Sequence, residues 1–228
     1  MKKRPPVTAS VRFNERRKEF QGLGLEDRFA RIRETNLWGA EESVSGLGSE
    51  LAATANLRRQ LPRLFSELGV KTLLDIPCGD FRWMSEVDLG EVLYIGGDIV
   101  GALVEANRAK YGREFQHLDL CAGELPRADL VLCRDCLVHL SFANIGRALE
   151  NLRRSASTWL LTTHFLECDQ NVDIEDGDWR MLNFELEPFQ WGPPQRVLVE
   201  GCAEAGGGYE DKTLALWRIA DLPAGGRG

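Results

Sequence analysis

A chain of 228 residues with 43% hydrophobic and 28% charged side chains can bury one sizeable core and has the balance of a globular protein. Its formal charge of −7 excludes a general phosphate-backbone binder, which would carry a basic face, so no nucleic-acid partner is expected. No apolar run reaches membrane-spanning length, and Met1-Lys2-Lys3-Arg4 leads into Pro5-Pro6 rather than a signal core; no membrane insertion and a cytoplasmic location are expected.

In chain order, the basic N-terminal end (Lys2, Lys3, Arg4, Arg12, Arg16, Arg17, Lys18) reads as a solvated tail. Residues 14–35 read as a peripheral helix. Asn36-Leu37-Trp38-Gly39 and the small-residue segment Ser43–Ser49 follow, with Ser49 the expected N-cap of a helix carrying Leu51, Ala55, Leu61, Leu64, Phe65 and Leu68 on one face. Gly69 suits its stop. Strand and helix signals then alternate: strands at 70–76, 91–97, 115–119, 128–134 and 157–163, helices at 81–88, 101–111 and 141–154, the last capped by Ser141. Alternation of this kind predicts an α/β, doubly wound, Rossmann-like and mostly parallel sheet with helices on both faces. After a long loop (165–194), Arg196–Glu200 and Thr213–Ile219 read as a terminal antiparallel strand pair, for seven strands in all.

Two strand ends carry the chemistry. Thr72-Leu73-Leu74-Asp75-Ile76-Pro77-Cys78-Gly79-Asp80-Phe81 is an apolar run that ends in an acid and a tight turn, and Leu93-Tyr94-Ile95-Gly96-Gly97-Asp98 ends in a second acid. Such a pair forms a nucleotide-binding half of a doubly wound sheet, in which the second acid holds ribose hydroxyls and the turn lets backbone amides approach the ligand.

These residues, with Phe115-Gln116-His117-Leu118-Asp119 and Ala128-Asp129-Leu130-Val131-Leu132-Cys133-Arg134-Asp135-Cys136-Leu137-Val138-His139-Leu140, resemble the class I S-adenosylmethionine-dependent methyltransferases over roughly residues 50–219. The Ser-Val-Ser-Gly-x-Gly-Ser segment and Gly177-Asp178-Trp179-Arg180 more narrowly resemble small bacterial enzymes of surface-polysaccharide and small-molecule pathways. The resemblance implies an N-terminal helix and lid segment (1–49) ahead of a methyltransferase domain (50–228). It implies S-adenosylmethionine bound by Asp75, Pro77, Cys78, Gly79 and Asp80, by Asp98 and Ile99 at the ribose, and by Asp119 and Leu120 at the adenine, with Arg134 nearby. The turn departs from the family's Gly-x-Gly-x-Gly: Pro77 cannot donate an amide hydrogen bond and Phe81 adds bulk. Ser45 belongs to a segment suited to clamp a carboxylate or phosphate, or to a plain flexible linker. Arg58 is either a partner for the methionine carboxylate or for an acidic acceptor, or an exposed helical arginine.

Methyl transfer to oxygen needs a base, and His139, Asp135 and His164 are the candidates, His139 first; His117 reads as structural. Trp38, and the loop residues Asp178, Trp179, Arg180 and Asn183, are expected to cover a small-molecule or glycan acceptor, sugar-like or anionic. Rival readings are a nicotinamide-dependent oxidoreductase, which would want the full Gly-x-Gly-x-x-Gly, and a non-catalytic nucleoside-binding module. A zinc or redox site at Cys133-x-x-Cys136 lacks a second ligand pair, a calcium loop at 173–178 lacks its Gly and Glu, and no metal is expected. The remaining cysteines, Cys78, Cys121, Cys168 and Cys202, read with that pair as reduced thiols.

Overall fold

The computed structural model describes residues 4–203 and 206–223, so Lys2 and Lys3 of the basic tail lie outside the described residues. Among the described residues seven strands form one sheet: β1 (Thr72–Asp75), β2 (Leu93–Asp98), β3 (Glu114–His117), β4 (Leu130–Cys133), β5 (Trp159–Phe165), β6 (Arg196–Val199) and β7 (Lys212–Arg218). Their order is β3-β2-β1-β4-β5-β7-β6. The first five are parallel, and β7 lies antiparallel between β5 and β6. The chain moves outward from β1 to β3, then returns to place β4 on the other side of β1, which opens a crevice at the carboxyl ends of β1 and β4.

Side chains alternate between the two faces, as the pleat requires. Leu74, Val131, Ala215 and Trp217 join one core with α5 (Phe142–Arg154), while Leu73, Leu130, Leu132, Leu214 and Leu216 join the other with α3 (Leu51–Leu68) and α4 (Gly101–Tyr111). A smaller cluster of Phe13, Phe20, Ile32 and Leu37 is built by α1 (Thr8–Glu15), α2 (Leu25–Glu34) and the turns around them. No helix among the described residues is long and apolar enough to cross a membrane.

The strands lie within two residues of their expected ends. Ser141 caps α5, its hydroxyl accepting from the Asn144 amide at 3.3 Å, and Gly69 ends α3 in the left-handed conformation at φ 62°. Three local expectations are corrected. The 14–35 helix is split into α1, a single 3₁₀ turn and α2, because Gly22 turns at φ 76° and Phe13 stacks on Phe20 at 4.9 Å. The N-cap of α3 is Glu50, not Ser49; the first-turn amide of Leu51 is taken by the Glu42 carboxylate at 3.1 Å. No helix forms over 81–88 beyond one 3₁₀ turn at Met84–Glu86. There Phe81, at φ 57°, plugs an aromatic cluster with Tyr94, Tyr111 and Phe115 at 4.8, 4.9 and 5.2 Å, and burying that ring outweighs helix propensity.

A buried charge network ties the sheet together at the crevice. Arg134, just past β4, donates to both oxygens of Glu200 (3.2 and 2.7 Å) at the end of β6 and to the Gly48 carbonyl (2.8 Å), and lies 3.2 Å from Asp135. Lys212 at the start of β7 contacts Asp135 at 2.8 Å and Glu200 at 3.5 Å. The Arg134 and Glu200 side chains are only 4% and 2% exposed, so losing one charge strands the others in a dry site. Arg134→Met should therefore lower unfolding free energy by about 3–5 kcal/mol in urea titrations; a change within experimental error would show that the network adds no net stability.

Candidate active site

The crevice is walled on one side by the strand ends and on the other by α2 and residues 36–49. Asp75, Pro77, Cys78, Gly79, Asp80, Asp98, Ile99, Asp119, Leu120, Arg134, Asp135 and His139 line it, and Trp38 and Ser45 close it from the N-terminal side. Fourteen of the sequence-derived site residues are thus gathered around one cleft.

The turn after β1 is already satisfied. The amides of Cys78, Gly79, Asp80 and Phe81 donate to the Gly97 carbonyl (2.8 Å), the Asp98 carboxylate (3.0 Å), the Ser45 hydroxyl (3.0 Å) and the Cys78 carbonyl (3.1 Å). Asn107 donates to the Gly79 carbonyl at 2.8 Å. The expectation that backbone amides of this turn approach a ligand is therefore corrected: those donors are spent, and Pro77 has none. Gly79 sits at φ 55°, and a Cβ there would come within 2.2 Å of Ser45 Oγ, so the turn must stay bare for the 43–49 segment to dock. Asp80 pins that segment by accepting from the Val44 amide at 3.1 Å.

What the strand wall offers is carboxylate oxygen. Asp98 accepts from the Gly79 and Val100 amides, and Asp119 from the Cys121 amide at 2.7 Å. Burial pushes the Asp98 carboxyl up to about 6, against the pull of those two amides. Asp75 accepts from the Tyr94 hydroxyl at 2.7 Å, and burial raises it to about 7, with the neighbouring Asp98 charge adding to the rise. Cys78 and Cys121 are held as protonated thiols by the same desolvation, Cys121 up to about 12.

A second, smaller cavity shares Trp38, Ser45, Asp135 and His139 with the first, and is completed by Val7–Ala9, Phe165, Trp179, Tyr209 and Lys212. His139 stands at the junction, its ring packed at a tilt of 31° against Trp38 at 5.0 Å. Its Nδ1 lies 2.8 Å from the Asp178 carbonyl, which can only accept, so Nδ1 carries the proton and Nε2 the lone pair. Burial lowers its pKa, which keeps the ring neutral near pH 7. Burial acts to raise Asp135, yet Arg134 and Lys212 overcome it and hold the carboxyl below the usual carboxylate range. Asp135 is thus a fixed anion rather than a proton acceptor.

Five expected site residues line neither cavity. His164 is wholly buried against Phe184 and Trp217, accepts from the Phe184 amide at 3.2 Å, and is lowered by burial to about 4. Arg58 donates to the Leu51 carbonyl of its own helix. Arg180 donates to the Leu137 and Leu140 carbonyls at 2.6 and 2.5 Å, strapping the turn that carries His139. Asn183 ties its own loop to the Cys168 carbonyl. The Asp178 side chain accepts from Asn14 and the Trp179 amide; only its carbonyl reaches His139. The 165–194 loop packs Leu182, Phe184, Phe189 and Trp191 into the core, and Trp179 alone of its expected acceptor residues lines a cavity. The cover over the main cleft comes from residues 25–49 instead. Sequence reasoning missed Leu25, Phe29 and Arg33, whose i, i+4, i+8 spacing on α2 is a readable helical face, and Glu200 and Lys212, charges that border the apolar runs of β6 and β7.

No protein-family model and no curated protein matches the chain. Human N-acetylserotonin methyltransferase, solved with S-adenosylmethionine, is similar over 88% of this chain at a TM-score of 0.60 and 14% identity. This chain spans 61% of that enzyme's length. The N-methyltransferase NodS from Bradyrhizobium japonicum WM9 is similar over 75% of this chain and 98% of its own, at a TM-score of 0.52 and 13% identity. At such identities the likeness establishes a shared fold: this chain has the Rossmann-like architecture of those two methyltransferases.

Asp75 gives a pH test. Its carboxyl is raised in the folded state, so its contribution to stability is present below the ordinary value of 3.8 and is lost as pH rises through about 7. Asp75→Asn keeps an oxygen for Tyr94 and removes the buried charge. It should raise the melting temperature of the ligand-free protein at pH 8 by about 2–4 °C or more, with the gain vanishing toward pH 4. A gain independent of pH would contradict the burial argument.

Proposed function

We propose that this protein transfers a methyl group from S-adenosylmethionine to an oxygen of a small polar acceptor, sugar-like or anionic. The observation that carries the reading is the neutral His139, fixed with its Nε2 lone pair at the junction of a carboxylate-lined cleft and an aromatic-lined cavity. The cleft's acceptors fit an adenosyl cofactor: ribose hydroxyls and an adenine amine donate, and Asp98 and Asp119 accept. A cation also suits it, because Asp75 and Asp98 are both carboxyls whose charge is costly until a positive group arrives. The shared fold with two methyltransferases supports the same reading over a nicotinamide oxidoreductase.

When bound, the cofactor supplies an electrophilic methyl group on a positively charged sulfur. The chain's work is alignment, exclusion of water and removal of one proton. Trp38 and Trp179 contribute aromatic rings and Asp135 and Lys212 charged groups, a lining that matches a ring bearing hydroxyl or acid groups. An acceptor hydroxyl gives its proton to His139 Nε2. The imidazolium that forms is stabilised by the Asp178 carbonyl and by the charge of Asp135, which favours the protonated ring.

Calorimetry with S-adenosylhomocysteine and NAD, followed by a screen of saccharides and small acids for methylated product, tests this. S-adenosylhomocysteine should bind and NAD should not. On the acceptor found, His139→Gln should lower turnover about a hundred-fold to ten-thousand-fold with cofactor affinity nearly unchanged. Full turnover in that variant would remove the assigned base, and methylation of nitrogen would remove the oxygen acceptor.

A further inference from the structure

The donors that the β1 turn withholds have to come from elsewhere, and the cover carries them. α2 turns Leu25, Phe29 and Arg33 toward the cleft at helical spacing, a run of nine residues whose ends are about 12 Å apart along the axis. Leu25 at one end also borders side cavities with Asp119, and Trp38 beyond the other end packs against His139. Across the cleft the strand order β3-β2-β1-β4 sets Asp98, at the end of β2, between Asp119, after β3, and His139, after β4. Arg33 thus belongs to the cover of the same cleft whose strand wall carries Asp98.

Two facts about Arg33 point to a ligand. Its Nε is buried with no hydrogen-bond partner, an arrangement that costs free energy unless a ligand supplies an acceptor. Its charge is also felt at Asp98, although no ion pair joins the two. An unpartnered buried donor and a carboxylate acceptor thus line the same cleft. The group that satisfies both is one that donates and accepts at once, as a hydroxyl does.

We infer that Arg33 is a cofactor-binding residue, donating to the ribose hydroxyls whose protons go to Asp98, so that the cofactor bridges the strand wall to the N-terminal cover. This rests on the methyl-transfer reading above. The diol then holds α2 against the sheet, and filling the cleft fastens its cover.

The test uses S-adenosylhomocysteine and its 2′-deoxy and 3′-deoxy analogues as probes on the full-length wild type, Arg33→Met and Arg33→Lys. Wild type should bind S-adenosylhomocysteine, and Arg33→Met should weaken it about ten-fold or more, with a much smaller loss for at least one deoxy analogue. Arg33→Lys should recover part of the loss. The melting temperature of ligand-free Arg33→Met should stay level or rise, because an unpaired buried donor has gone, while the shift induced by S-adenosylhomocysteine shrinks. Equal affinity in wild type and Arg33→Met, or the same loss for all three probes, would overturn the inference and leave the methyl-transfer reading intact. No binding of S-adenosylhomocysteine by wild type would overturn both.

Discussion

Arg134 holds the carboxyl end of the sheet together, and the site depends on it. It joins the end of β4 to Glu200 on β6 and reaches the Gly48 carbonyl in the cover, while Lys212 on β7 completes the ring of charges through Asp135. Charges buried as deeply as those of Arg134, Glu200 and Lys212 are expensive apart and tolerable only together. The arrangement also decides chemistry. With two cations beside it, Asp135 stays ionised and cannot take a proton, which leaves that work to the neutral His139 next to it.

The rest of the site follows from how hydrogen bonds are distributed. Every amide in the turn after β1 is used internally, and the strand wall presents acceptors, two of them carboxyls raised by burial. Donors remain on the N-terminal cover, where Arg33 Nε and Trp38 Nε1 are buried without partners. A strand wall of acceptors facing a cover of donors is a cleft in two halves, each left incomplete until something sits between them. The cover is fixed at its edges by Asp80 on Val44 and by Arg28 on Glu175 at 2.8 Å.

The strand-end acids and His139 were legible in the sequence because each follows directly from a local pattern, an apolar run that stops at a polar residue. The sheet was legible for the same reason, down to the Ser141 and Gly69 helix ends. What escaped depends on partners far away in the chain. Arg180 reads as a free loop arginine until the carbonyls of Leu137 and Leu140 are found beneath it, and His164 reads as a strand-end base until Phe184 and Trp217 close around it. The polar loop at 165–194 looked like a lid, yet its aromatics are core. Phe81 defeated a local helix signal because three aromatic rings from distant elements converge on it.

A crystal structure of the protein with S-adenosylhomocysteine tests the central claim most directly. The account predicts the adenosyl group in the cleft between the strand ends and α2, with its ribose on Asp98, its adenine toward Asp119 and its sulfur on the His139 side. Ligand bound elsewhere, or adenine lying at the His139 end, would contradict it.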